Sequence, residues 1–213
     1  MRLVLFDLDN TLVDRAEGFR RWVWEFCAEH RLTADDAAWL LTADDDGRAP
    51  RKAFFTAVRE RFAVAESVAE LLDAYLRRHP ALIPAAPGVL GGLPRLRTAG
   101  WRIGVVTNGE ADQQLATLLR TDVAAFVDGW AISGYEGVGK PDRRLFEIAA
   151  ERCQAPLAGG WMVGDSEHTD IAGGRAAGLR TVWVDRGRAW SCGETAPDHV
   201  VADAAGAIEL LLK

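Results

Sequence analysis

The chain has 213 residues, 49% of them apolar, enough to bury one substantial core or a core with a small accessory domain. A formal net charge of -6 argues against a duplex nucleic-acid binder, which needs a basic face, but leaves room for a small phosphorylated ligand met by local cations. Cys27, Cys153 and Cys192 are odd in number and lack metal-ligand spacing, so no disulfide framework or zinc site is expected, and a reduced, cytoplasmic setting fits.

Taken in chain order, Leu3 to Phe6 is an apolar run that opens into Asp7-Leu8-Asp9-Asn10-Thr11. Two carboxylates two residues apart share one face of a strand, and such a pair at a strand end points to chemistry. The same carboxylates interrupt the run too early for a secretory segment, and no stretch is long enough to span a bilayer, so no membrane partner is expected. From Arg15 to Ile83 the pattern changes. Phe19, Trp22, Val23 and Phe26 recur at helical spacing, as do Val68, Leu71, Leu72 and Tyr75, which predicts a small all-helical domain over 15–83. Pro84 and Pro87-Gly88 mark the return to a second pattern.

There, Val89, Leu90, Leu93 and Leu96 predict a helix ending near Gly100. The short runs Ile103–Val106, Trp161–Val163 and Thr181–Val184 read as strands buried on both faces, with a helix beginning at Leu145 between the first two. A last strand at His199–Val201 and a last helix follow. This alternation predicts an α/β fold: a Rossmann-like three-layer core with a central parallel sheet, over 1–14 and 84–213, with active residues at the carboxyl ends of strands. Thr107-Asn108-Gly109, Gly139-Lys140-Pro141 and Gly164-Asp165 with Asp170 each come after an apolar run, as Asp7 does.

Those four signals, in that order, resemble the motifs of the haloacid dehalogenase superfamily: DxDxT, a Thr or Ser after a strand, a Lys, and GDxxxxD. The resemblance covers nearly the whole chain. Family members that act on carbon–halogen bonds lack the second Asp, whereas phosphatases and phosphotransferases carry it, as Asp9 does here. The resemblance therefore implies a Mg2+-dependent phosphomonoester hydrolase, a hydrolase acting on a small phosphorylated metabolite through an aspartyl-phosphate, with residues 15–83 as a cap over the catalytic core.

On this reading Asp7 is the nucleophile. Asp9 protonates the leaving alkoxide and later deprotonates water. Lys140, Thr107 and Asn108 cradle the phosphate, through the Thr hydroxyl and backbone N–H groups. The metal ligands that the family implies are Asp7, Asp9 through its carbonyl, and Asp165, with Asp170 behind them holding waters or Lys140. Thr107-Asn108-Gly109 and the segment from Ile132 to Pro141 look like the branch containing nucleoside 5′-monophosphatases and N-acylneuraminate 9-phosphatases, although Gly134 and Tyr135 stand where acidic residues are expected. The same chemistry serves a phosphotransferase or phosphomutase, and a non-catalytic phosphate-binding regulatory protein could keep the fold. Oligomeric state stays open.

Other features have plainer readings. DxDxT begins like a calcium loop, but Leu12 and Gly18 stand where that loop needs Gly and Glu. Trp22, Trp24, Trp39, Phe54 and Phe55 are expected to pack helices. Asp44-Asp45-Asp46 reads as a solvated loop. Arg48, Arg51 and Lys52 read as surface charge, with substrate contact as the sharper alternative, and His168 is given no role.

Overall fold

The computed structural model describes residues 2–193 and 196–213. They divide into two compact units, Met1–Asp14 with Ala85–Lys213, and Arg15–Pro84. In the first, six strands form one sheet: β1 (Arg2–Phe6), β2 (Trp101–Thr107), β3 (Gly129–Ile132), β4 (Trp161–Gly164), β5 (Arg180–Val184) and β6 (His199–Val201). Their order is β3-β2-β1-β4-β5-β6 and every pairing is parallel. After β1 the chain builds outward on one side through β2 and β3, then returns to the other side of β1 for β4. The order reverses between β1 and β4, and in open parallel sheets ligands bind in the crevice outside the strand ends at such a point.

The inner strands are largely apolar because helices cover both faces of the sheet, whereas the edge strand β6 is mostly exposed. Leu3 and Leu5 of β1, Val106 of β2 and Met162 of β4 pack with α8 (Arg143–Arg152), whose Leu145, Phe146 and Ala149 are buried, and with Ala177 beyond α9 (Gly173–Ala176). Gly104 of β2 lies so close to Leu5 and Cys153 that a Cβ would stand 2.6 Å and 2.7 Å from their side chains. α5 (Val89–Thr98) packs against α10 (Ala204–Leu211), with Gly92 against Ile208. α6 (Ala111–Arg120) follows β2 and α7 (Ser133–Glu136) follows β3. The chain leaves and re-enters this unit side by side, through an antiparallel bridge between Val13 and Ala85 and the Ala86 N–H donating to the Leu12 carbonyl at 2.9 Å.

β3 is a strand that periodicity does not reveal. It is four residues long, begins with glycine and, among the described residues, pairs with β2 alone, so its sequence carries little strand signal.

The second unit is all helical: α1 (Arg15–His30), α2 (Ala34–Ala43), α3 (Arg51–Phe62) and α4 (Val68–Arg78). Thr33 with Asp36, and Ser67 with Glu70, form capping boxes that start α2 and α4. Phe19, Trp22 and Phe26 of α1 meet Phe54 and Phe55 of α3 and Tyr75 of α4 in one aromatic core. Trp39 packs edge-on to Phe62 at 5.5 Å between ring centroids. Trp24 departs from the packing expectation: it is 67% exposed, because two residues beyond Trp22 it falls off the buried face of α1.

The solvated-loop expectation also fails at Asp44. This residue is 2% exposed and accepts a bidentate pair from Arg15 at 2.7 and 2.8 Å, with Arg51 2.7 Å away. Arg51 is therefore an inward ion-pair partner, whereas Arg48 and Lys52 lie at the surface. Gly47 makes room for this cluster, since a Cβ there would approach the Arg15 guanidinium to 2.8 Å.

Candidate active site

Asp7, Thr107 and Asp165 stand at or just past the carboxyl ends of β1, β2 and β4, the three central strands around the reversal point. The Asp7 N–H donates to the Val163 carbonyl at 2.8 Å, continuing the ladder one residue beyond Phe6 and fixing where its carboxylate projects. Lys140 arrives from the loop before α8. Its ammonium donates to Asp7 Oδ1 at 2.6 Å and lies 2.7 Å from Asp170 Oδ1, with all three side chains buried.

Burial raises the Asp7 carboxyl well above its ordinary range; Lys140 works against that rise, and Asp170 and Asp165 reinforce it. Burial works to lower the Lys140 ammonium, but Asp170 and Asp7 outweigh it and hold the group above its ordinary value, so it stays charged. Asp165 is pushed up to about 6 by burial and by Asp170, against the opposing charges of Arg188 and Arg186.

The carboxylates of Asp7, Asp165 and Asp170 each offer an oxygen within 4.8 Å of the others. Three hard oxygen donors suit a small divalent cation. Both oxygens of Asp170 already have partners, Lys140 on Oδ1 and the Ser166 N–H at 3.0 Å on Oδ2. Asp7 and Asp165 are thus better placed as direct donors. Gly164 admits this arrangement, because a Cβ there would stand 2.2 Å from Asp170 Oδ2.

The side chain of Asn108 is engaged within the protein. Its side-chain amide clasps the backbone of Lys140, donating to the carbonyl at 2.9 Å and accepting the N–H at 2.8 Å. The clasp ties the end of β2 to the lysine loop, so the side chain positions Lys140. The glycine in place of an acidic residue at 134 also has a local cause: its N–H donates to the Gly109 carbonyl at 3.1 Å, and a Cβ would meet the Ala111 nitrogen at 2.6 Å. Tyr135 donates to Asp112 at 2.9 Å, and Glu136 pairs with Arg152 at 2.6 Å.

Three residues join the site that the motifs do not name. Arg186 and Arg188 lie 3.1 and 3.2 Å from Asp165 Oδ2, and Arg188 also donates to the Asp165 carbonyl at 2.6 Å, which the Trp183 indole meets at 3.0 Å. The rule that polar residues just past a buried strand are functional candidates, applied to β5, would have found both. Gln114, on the buried face of α6, accepts the Thr107 hydroxyl at 2.8 Å and donates to Asp9 Oδ2 at 3.0 Å. No motif spacing marks it.

The family model of haloacid dehalogenase-like hydrolases matches residues 1–178. A glyceraldehyde 3-phosphate phosphatase of Pyrococcus abyssi is 30% identical, over 88% of this chain and 83% of its own. A phosphoserine phosphatase of Thermus thermophilus is 34% identical, over 78% of this chain and 64% of its own. Among solved structures, magnesium-bound YfnB of Bacillus subtilis superposes with a TM-score of 0.78 at 24% identity, covering 99% of this chain and 98% of that one, a likeness of fold.

Proposed function

The chain belongs to the haloacid dehalogenase-like hydrolases, and from that membership we propose that it is a Mg2+-dependent phosphomonoesterase that hydrolyses a small phosphorylated metabolite through an aspartyl-phosphate on Asp7. The observation that carries this reading is the Asp7 carboxylate, buried at a strand end with one oxygen 2.6 Å from the Lys140 ammonium and Asp9 two residues away.

In this reading Asp7 attacks phosphorus while the bond to the leaving alkoxide breaks, and Asp9 gives that alkoxide its proton. Asp9 then takes a proton from the water that attacks the aspartyl-phosphate, which restores both carboxyl groups. Lys140 and the backbone N–H groups around Thr107 and Asn108 receive the phosphoryl oxygens, and the Thr107 hydroxyl can join them by rotating about its C–O bond. Mg2+, when held by the carboxylates of Asp7 and Asp165 and the Asp9 carbonyl, supplies the positive charge that lets a phosphate dianion approach a carboxylate. Asp170 holds Lys140 in place. Residues 15–83 serve as the cap that the family resemblance implies.

The relatives' names point to small phosphorylated metabolites as the substrate class, glyceraldehyde 3-phosphate for one and phosphoserine for the other. Quenching turnover with hydroxylamine tests the intermediate, since that nucleophile captures an acyl phosphate as a hydroxamate. A hydroxamate at Asp7 in the peptide map is the expected result. Turnover with no modification at Asp7 would contradict the proposal, and phosphate passed to an added sugar without release would point instead to a phosphotransferase.

A further inference from the structure

Gln114 is a buried polar side chain, 4% exposed, in the middle of a helix whose other inward residues include Thr117 and Leu118. Burying an amide is costly unless its donors and acceptor are met, and both of its ends are met by residues of the site. Its carbonyl accepts the Thr107 hydroxyl at 2.8 Å, and its N–H donates to Asp9 Oδ2 at 3.0 Å. The side chain also fills the space left by the missing Cβ of Gly109, where an added carbon would stand 2.9 Å from Gln114 Cγ and 3.0 Å from Nε2. Strand end, turn and helix thus converge to hold one amide in one orientation.

We propose that Gln114 is a positioning residue that holds the Asp9 carboxyl for proton transfer to the leaving group; this rests on the phosphomonoesterase reading above. The amide holds Oδ2 as an acceptor, so the carboxyl proton belongs on Oδ1 and the plane of the group is fixed. Thr107 anchors the far end of the amide. As the bond from phosphorus to the leaving oxygen breaks and the bond to Asp7 forms, the proton on Asp9 Oδ1 passes to the departing alkoxide. A misaligned carboxyl delays that transfer while Lys140 and the backbone N–H groups still hold the phosphate.

Leaving groups of different basicity separate positioning from general support. An alkyl phosphate leaves as a strongly basic alkoxide and needs the proton, whereas 4-nitrophenyl phosphate leaves as a stable phenolate and hardly needs it. Wild type and Gln114→Met, which keeps the length and loses both hydrogen bonds, are compared on glycerol phosphate and 4-nitrophenyl phosphate with Mg2+ present. We expect kcat/KM, which reports only the steps up to leaving-group departure and not the later hydrolysis of the aspartyl-phosphate, to fall about 10- to 100-fold on the alkyl ester and to stay within about twofold of wild type on 4-nitrophenyl phosphate.

Equal losses of kcat/KM on both substrates, or none on either, would overturn the role of Gln114 while leaving the phosphatase reading intact. A wild-type protein that hydrolyses neither ester overturns both. If Gln114→Met melts early, Gln114→Leu, smaller and likewise without either hydrogen bond, repeats the comparison with the same expected split between leaving groups.

Discussion

At the scale of single residues, the site is a problem of charge. Asp7, Asp165 and Asp170 crowd together; Lys140 bridges two of them, and Arg186 and Arg188 engage the third. Lys140 does not meet that charge alone, because two guanidiniums arrive from the turn after β5. A phosphate dianion added beside Asp7 still leaves the negative charge in excess, which keeps a divalent cation in the account. Lys140→Met is expected to lower kcat by about 100- to 1,000-fold, the scale of removing one preorganised electrostatic donor. Lys140→Arg should not restore it, since a planar guanidinium cannot place one compact charge between Asp7 and Asp170. Steady-state rates on a generic aryl phosphate, with melting temperatures alongside, check both. That Asp7, Lys140, Asp165 and Asp170 come together was legible because strand ends and motif spacing mark them. Gln114 was not, because a glutamine inside a helix has no spacing that tells an inward amide from a solvated one.

At the scale of elements, the helical unit contains a buried ion cluster that looks like a surface loop in the sequence. Three successive aspartates ahead of a glycine suggest a hydrated turn, yet the first of them turns inward, caps the turn at Gly47 with a 2.8 Å hydrogen bond and binds two arginines. Burial would raise the Asp44 carboxyl, but the hydrogen bond from Arg15 and the charges of Arg15 and Arg51 outweigh it and hold the group below its usual range. Asp44→Ala leaves two guanidiniums without that partner and is expected to cost about 3–5 kcal/mol, read as a fall in the urea midpoint.

Next to the cluster, His79 is stacked on Tyr75 with 4.6 Å between centroids, and burial followed by the charges of Arg15 and Arg51 lowers its pKa to about 3. An imidazole depressed in the folded state is neutral there while the unfolded chain takes up a proton. Its contribution to stability is therefore full above pH 6.5 and is lost as pH falls toward 3. The limiting slope is about 1.4 kcal/mol per pH unit. Urea unfolding at stepped pH should show stability declining from pH 6.5 downward, and His79→Phe should flatten that decline. An unchanged slope in the variant would assign the effect to other groups.

At the scale of the whole molecule, the alternation of apolar runs and helical faces was enough to read the α/β core, because strands buried on both faces differ so plainly from the amphipathic helices around them. The short edge strand β3 escaped, since four residues starting with glycine and holding a single β-branched side chain, Ile132, carry little strand signal. The order of the sheet was not written in any one segment either. It follows from which runs pair across it, and it is this order that gathers Asp7, Thr107 and Asp165 from positions far apart in the chain.

The central claim is that this gathered site transfers a phosphoryl group to Asp7 and then to water, and it is tested most directly by phosphate release from a phosphomonoester, followed in parallel for wild type and Asp7→Asn, each with Mg2+ and with excess chelator. Expected are release by wild type with Mg2+, loss with chelator that added Mg2+ reverses, and no release above background by a folded Asp7→Asn. Undiminished release by Asp7→Asn, or release that survives complete chelation, would contradict it.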